Sequence, residues 1–124
     1  MKLFTLEEAN KSLPSVVPKL QRIQSLYETL STMRAPAKAA AEASRFGGGM
    51  EGGSGYVRTL YEIGKITTEF NEMGIELKDY ARGLIDFPSL RNNRIVYLCW
   101  QLGENESIEW WHETDAGFGG RQPL

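Results

Sequence analysis

Six of the nine residues from 47 to 55 are glycine, and this run interrupts a first half with helical patterning. A run of this composition is typical of a flexible connector. A phosphate-binding loop is the alternative, but such loops follow a strand and carry a lysine at a set offset, whereas this run follows a helical segment and has no Gly-Lys-Ser/Thr. The segment 47–55 therefore predicts a linker between two helices, which we expect to form an antiparallel hairpin.

The N-terminal part, residues 1–46, has the signals of a capped and interrupted helix. The run from Thr5 to Glu8 predicts a capping box, in which the two side chains bond each other's backbone N–H groups. Pro14 lacks an N–H and clashes with the preceding turn, so it predicts a short helix ending near Ser12 and a long helix from Pro14 to Ser44. A kink is expected at Pro36, because the residue before a proline avoids the helical region.

Residues 56–73 predict a second helix, with Gly74 as its C-terminal cap. Apolar residues recur at helical spacing and define the face expected to be buried. The members of this face are Val57, Leu60, Ile63, Phe70 and Met73, with Ile66 or Thr67 between them.

Residues 75–113 have strand composition and short breaks, which predict an antiparallel β-meander. The four expected strands are Ile75–Lys78, Gly83–Phe87, Arg94–Leu102 and Ser107–Glu113. The tail, 114–124, is rich in glycine and is expected to be irregular. The chain is therefore expected to be a single α+β domain, 1–124, with a helical hairpin packed on a four-stranded sheet.

Loop lengths give a predicted register. A four-residue loop at 103–106 places Tyr97 opposite His112 and Cys99 opposite Trp110, and a six-residue loop at 88–93 places Asp86 opposite Ile95. One face is then apolar and is expected to lie under the helices: Ile85, Phe87, Val96, Leu98, Trp100, Leu102 and Trp111. The other is mixed and better suited to chemistry: Leu84, Asp86, Tyr97, Cys99, Gln101, Ile108, Trp110 and His112.

The mixed face predicts a candidate metal site around the single histidine, His112, with Asp115 and with Cys99 or Glu113 as further ligands. Strand spacing puts His112 about 8 Å from Cys99 and about 12 Å from Asp86 between Cα atoms, which excludes Asp86 from the same ion in this register unless the sheet curls. The chain lacks the paired Cys or His spacing of a typical zinc motif, and a lone histidine is more often structural.

Two other chemistries are alternatives to a metal site: a cysteine nucleophile and an anion-binding tail. A Cys99 nucleophile needs an activating environment, whereas its place in mid-strand favours a buried, inert thiol. Backbone N–H groups at 117–120 with Arg121 could hold an anion, and Tyr97 and Asp86 are further ligand candidates. The alternative for the tail is that it folds over the sheet edge with Phe118 as an anchor.

Several segments resemble a known family. They are Phe4–Asn10 with Leu13-Pro14, then Gly83–Pro88, Tyr97–Glu104, Trp111-His112 and Gly117–Pro123. These motifs, which extend over nearly the whole chain, are similar to those of the domain-of-unknown-function family 2203, which comprises small prokaryotic proteins. The resemblance implies no activity. It does imply that His112, Asp86, Cys99 and Arg121 stand in the family's recurring motifs.

Composition excludes several classes of protein. The chain has 124 residues, a net charge of −2 and no apolar run near the roughly 20 residues of a spanning helix. Its basic residues are too sparse for a nucleic-acid-binding face. An acidic N-terminal segment without a signal peptide and a single cysteine predict a cytoplasmic protein. Two function classes remain: an interaction or scaffold module, slightly favoured, and a small ligand- or divalent-metal-binding protein that could be an enzyme.

The long helix also predicts a homodimer. At ~1.5 Å per residue it spans about 45 Å, whereas the second helix spans about 27 Å and leaves part of the apolar stripe uncovered. Leu26, Leu30, Met33 and the alanines beyond Pro36 are expected to be exposed and to pair with a second copy. The alternative is a monomer, in which the helix breaks at Pro36 and folds back.

Overall fold

A computed structural model describes the backbone of residues 1–44 and 51–124, and the side chains of residues 1–33 and 55–124. Two helices precede an antiparallel sheet, which confirms the α+β class. The helices are α1, Leu6–Ser44, and α2, Glu51–Met73. The strands, adjacent in chain order, are β1 (Glu76–Asp79), β2 (Leu84–Arg91), β3 (Arg94–Gln101), β4 (Trp110–Glu113) and β5 (Gln122–Pro123).

The helix α1 is continuous, so the prediction of a break between Ser12 and Pro14 is wrong. The capping box is confirmed: the Thr5 N–H donates to Glu8 Oε1 at 2.9 Å, and the Glu8 N–H donates to Thr5 Oγ1 at 3.0 Å. Beyond the cap, residues on both sides of Pro14 are fully buried: Ala9, Leu13, Val16, Leu20 and Ile23. Their burial offsets the cost of a proline in a helix, about 3 kcal/mol.

Pro36 also lies within the helical backbone of α1. The kink expected there stays a prediction. Of the predicted linker, residues 47–50 lie outside the described backbone, whereas residues 51–55 belong to α2. The linker boundary at residue 55 is therefore wrong, because the helix begins at Glu51.

The two helices pack together as the predicted hairpin. Lys19 pairs with Glu69, and Arg22 Nη2 lies 2.8 Å from Glu62 Oε2. Leu26 and Leu30, expected to be exposed, are each only 6% exposed. The antiparallel α2 runs alongside this part of α1, with Glu62 against Arg22 and Thr59 against Met33.

The buried face of α2 differs in part from the prediction. Ile63 and Phe70 are buried, whereas Val57 is 62% and Leu60 is 43% exposed. The helix ends as predicted at Gly74, whose φ of 80° is in the left-handed region that favours glycine.

A two-residue turn joins β2 to β3, where the sequence predicted a six-residue loop. Asn92 and Asn93 have φ values of 52° and 62°, which suit the tight turns of hairpins and which asparagine tolerates. Asp86 therefore lies opposite Cys99 and not opposite Ile95. The predicted pairing is wrong by four residues, but an even shift leaves every side chain on its predicted face.

The β3–β4 register is confirmed, with Tyr97 opposite His112 and Cys99 opposite Trp110. The strand β4 is shorter than predicted, because Ser107–Glu109 lie outside it. In this segment the Ile108 N–H donates to Asn10 Oδ1 at 2.7 Å. This bond holds Ile108 against α1, and its side chain joins the core, not the mixed face as predicted.

The apolar face of the sheet lies under the helices as predicted, with Ile85, Phe87, Val96, Leu98, Trp100 and Trp111 buried in the core and Leu102 packed against it. The tail adds a fifth strand: β5 pairs with β4 and covers its edge. No helix in the described part of the chain is long and apolar enough to cross a membrane.

Candidate metal centre

Asp86, Cys99 and His112 converge on the sheet face that points away from the helices. They come from the three adjacent strands β2, β3 and β4, and each is at most 2% exposed. One potential ligand atom from each lies within 4.8 Å of the other two. The exclusion of Asp86 from the site is wrong: the short Asn92-Asn93 turn places Asp86 directly opposite Cys99, and the Asp86 and His112 side chains meet across β3.

The imidazole of His112 is held in a defined orientation. Its Nδ1 lies 2.7 Å from the Glu113 carbonyl oxygen. Since a carbonyl oxygen can only accept, Nδ1 carries the hydrogen and donates it. Nε2 then points to the neighbouring strands and lies 3.0 Å from Asp86 Oδ2. This is the arrangement by which a backbone carbonyl fixes a metal-ligating histidine.

The carboxyl group of Asp86 is incompletely satisfied. Oδ2 faces His112, while Oδ1 is buried without a hydrogen-bond partner. Burial raises the pKa of Asp86, and the neighbouring His112 opposes this shift. Buried polar atoms in native proteins almost always have a partner, so the orphaned oxygen marks a position where a ligand would be stabilised.

The thiol of Cys99 is fully buried and is the third member of the cluster. Burial, with a further contribution from Asp86, raises the pKa of Cys99 to about 12. The thiol is therefore protonated at neutral pH and is a poor nucleophile. A bound metal ion would reverse this, because a coordinating thiol loses its proton.

A small cleft of about 170 Å³ connects the cluster to the surface. Asp86 and His112 line its base, and Lys78, Tyr97 and Phe118 line its walls. Lys78 Nζ lies 2.7 Å from Glu76 Oε1 and 5.2 Å from the centre of the Tyr97 ring. The sequence analysis missed Lys78, because it assigned no register to the first strand; Glu76 lies opposite Asp86, and alternation from Glu76 would have placed Lys78 on the same face.

The structure does not bring the other predicted ligands to the cluster. Glu113 forms an ion pair with Arg94, and Asp115 is exposed in the turn after β4. Arg121, the anion candidate, forms two bonds to Glu104: Nη1 to Oε1 at 3.1 Å and Nη2 to Oε2 at 2.8 Å. Its guanidinium also lies over the rings of Trp110 and Phe118, which agrees with the alternative of a folded tail.

Comparison with known families identifies the chain. A family model described as an uncharacterized conserved protein, DUF2203, matches residues 2–124. The chain belongs to the DUF2203 family. The family description assigns no activity, and the candidate centre of this DUF2203 protein is therefore defined by its geometry. No curated protein and no solved structure matches the chain.

Proposed function

We propose that this DUF2203 protein binds a zinc ion through His112 Nε2, a carboxylate oxygen of Asp86 and Cys99 Sγ. The observation that carries the proposal is the buried cluster itself, in which an oriented imidazole and an orphaned carboxylate oxygen meet a thiol. A sequence without paired Cys or His motifs still forms such a set, because three neighbouring strands each supply one ligand.

The donor set suits zinc chemically. Nitrogen, oxygen and sulfur ligands are those that Zn²⁺ takes in proteins, at about 2.0–2.3 Å in tetrahedral geometry. Tetrahedral ligands at such distances are about 3.3–3.8 Å apart, so side-chain shifts of about 1 Å close the cluster on an ion. A thiolate and a carboxylate neutralise the two positive charges, and this neutrality is required in a buried site.

Three protein ligands leave a fourth position open, which is typical of zinc sites that bind a small molecule or water. Asp86 and His112 form the base of the cleft, so this position would face the cleft and not the core. This favours a ligand-binding centre over a closed structural one, and it favours the ligand- or metal-binding class of function over a scaffold.

The test is native mass spectrometry of untagged protein after zinc loading, combined with titration by Co²⁺. We expect one ion per chain and a thiolate-to-cobalt charge-transfer band. Asp86→Asn, Cys99→Ser and His112→Ala should each lose the ion at stoichiometric metal, and Cys99→Ser should also lose the band. The matched control is Asp115→Asn, which removes an exposed carboxylate beside β4 and should leave binding unchanged.

Two results would overturn the zinc proposal. One is the absence of bound metal in the wild-type protein. The other is binding that survives all three cluster substitutions.

A homodimer is the second candidate property, now on a different surface. Val57, Leu60 and Tyr61 are exposed at helical spacing on α2, and Tyr61 is 72% exposed. Apolar side chains clustered on one helix face often mark an interface, and a twofold pairing of α2 would cover them.

The absence of nucleic-acid binding and the cytoplasmic location stay predictions. A reducing compartment such as the cytoplasm would keep the Cys99 thiol available as a metal ligand.

A further inference from the structure

The cleft above the candidate zinc centre is small and has one cationic side chain in its wall. Its volume of about 170 Å³ is below the roughly 300 Å³ of sites for drug-sized molecules, so it admits ligands of a few non-hydrogen atoms. Asp86 and His112 line its base. The other described residues of its lining are Lys78, Leu84, Tyr97, Thr114, Gly117 and Phe118, and among these Lys78 alone carries a full charge.

The ammonium group of Lys78 is held by neighbours on the same face of the sheet. Its Nζ lies 2.7 Å from Glu76 Oε1 and 5.2 Å from the centre of the Tyr97 ring. The hydrogen bond to Glu76, with a further attraction to Asp86, raises the pKa of Lys78, so the group is charged at neutral pH. An ammonium has three N–H donors, and Glu76 accepts one of them. Glu76 does not line the cleft, so a ligand there meets the cation and not its partner.

The second group that attracts an anion is the metal ion itself. A Zn²⁺ ion bound by the Asp86 carboxylate and the Cys99 thiolate has no net charge, and its fourth position is open toward the cleft. One negative charge on a ligand is then matched by the one ammonium of Lys78. A dianion such as hydrogen phosphate would bring an unmatched negative charge into a cleft that Leu84 and Phe118 make partly apolar.

We propose that the cleft binds a small monocarboxylate, which coordinates the metal ion and pairs with the Lys78 ammonium. The proposal rests on the zinc centre proposed above. A carboxylate has two acceptor oxygens, so it can coordinate a metal ion and accept a hydrogen bond from an ammonium at the same time. The short apolar body of such a ligand would contact Leu84 and Phe118, the apolar residues of the lining.

The test uses the full-length protein loaded with Co²⁺, whose visible absorption changes when a ligand enters the open position. Propionate is titrated at constant ionic strength in sodium perchlorate, whose anion coordinates metals weakly. Propionamide has nearly the same shape without the charge and is the matched ligand. We expect propionate to cause a saturable change at millimolar concentration. Propionamide should bind at least about tenfold more weakly, a difference of ~1.4 kcal/mol, and phosphate should also bind more weakly than propionate.

Two substitutions on β1 should change the affinity for propionate in opposite directions. Lys78→Met removes the ammonium and should weaken binding several-fold. Glu76→Gln removes the negative charge beside the ammonium but keeps an oxygen acceptor for it, so this variant should bind propionate more tightly. Lys65→Met, on the exposed side of α2, is the matched control and should leave the affinity unchanged. None of the three residues is a proposed metal ligand, so each variant should keep the thiolate-to-cobalt band.

The outcomes separate the carboxylate site from the zinc centre. A wild-type protein without the thiolate-to-cobalt band contradicts the zinc centre and the carboxylate site with it. A band that is present but does not respond to millimolar propionate overturns the carboxylate site alone. The site is also overturned if propionamide or phosphate binds as tightly as propionate, if Lys78→Met binds propionate like the wild type, or if Glu76→Gln weakens binding.

Discussion

The Nε2 atom of His112 lies 3.0 Å from Oδ2 of Asp86, although the two residues belong to β4 and β2 and are separated by the whole of β3. Both side chains are buried. The contact spans two strand spacings and runs diagonally, since Asp86 lies opposite Cys99 on β3 and His112 lies opposite Tyr97. This contact defines the candidate centre and leads to the first prediction.

Loss of one partner of the buried pair should destabilise the fold. His112→Ala removes the hydrogen-bond partner of Asp86 Oδ2, while the carboxyl group stays buried in the sheet. We expect the free energy of unfolding to fall by about 3 kcal/mol, measured by urea denaturation in the presence of a chelator. The double variant Asp86→Leu/His112→Leu should lose less than the sum of its single variants, since it leaves no unpaired polar group. Additive losses would show that the pair is not coupled.

Stability should fall at alkaline pH because of Cys99. Burial raises the pKa of its thiol to about 12 in the folded protein, against an ordinary value of 9.0 in the unfolded chain. Between about pH 9 and pH 12 the folded state therefore keeps the thiol proton, whereas the unfolded state loses it. The free energy of unfolding is unaffected by this group below about pH 9 and falls from there toward pH 12, by up to ~1.4 kcal/mol per pH unit.

The measurement for Cys99 is metal-free urea denaturation at several pH values, with Cys99→Ala as the control that lacks a thiol. If the free energy of unfolding falls equally steeply with pH in the two proteins between pH 9 and 12, the raised pKa of Cys99 is contradicted. The same burial predicts slow labelling of the native thiol at neutral pH, and a rate like that of the denatured protein would contradict it.

The homodimer predicted on α2 should depend on its exposed apolar residues. Leu60→Glu places a charge in the middle of that surface and should convert a dimer to a 13.9 kDa monomer in sedimentation equilibrium at micromolar concentration. Leu90→Glu is the control, because Leu90 is 58% exposed but lies on β2. A wild-type monomer would exclude this dimer. Leu30→Glu is unsuitable, since Leu30 is buried between the helices.

Two glycines provide a matched test of backbone geometry. Gly83 has a φ of 62°, and an added Cβ would lie 2.5 Å from Leu102 Cδ1. Gly83→Ala should therefore destabilise the protein by about 2 kcal/mol. Gly64 lies in α2 with nothing within 4 Å of an added Cβ, so Gly64→Ala should stabilise it by about 0.5–1 kcal/mol. Thermal or urea denaturation measures both, and an equal effect of the two substitutions would show that the Gly83 turn is not strained.

Local signals in the sequence determined much of the fold. The capping box at Thr5, the helix end at Gly74 and the alternation of side chains across β2, β3 and β4 all depend on neighbouring residues, and all three are confirmed. The helix break predicted before Pro14 is wrong, because the burial of residues on either side outweighs the cost of the proline. The six-residue loop predicted at 88–93 is also wrong, because Asn92 and Asn93 adopt left-handed conformations and form a two-residue turn.

The sequence placed Asp86, Cys99 and His112 on one face, because strand alternation has a period of two and survives an even error in register. Only the tertiary structure decided which of them meet. The length of one turn sets how far β2 slides along β3, and that slide moves Asp86 from the expected position opposite Ile95 to a position opposite Cys99. From there its carboxylate reaches across β3 to hydrogen-bond distance of the His112 imidazole. Alternation is a property of each strand by itself, whereas register is a property of the pair of strands and of the turn that joins them.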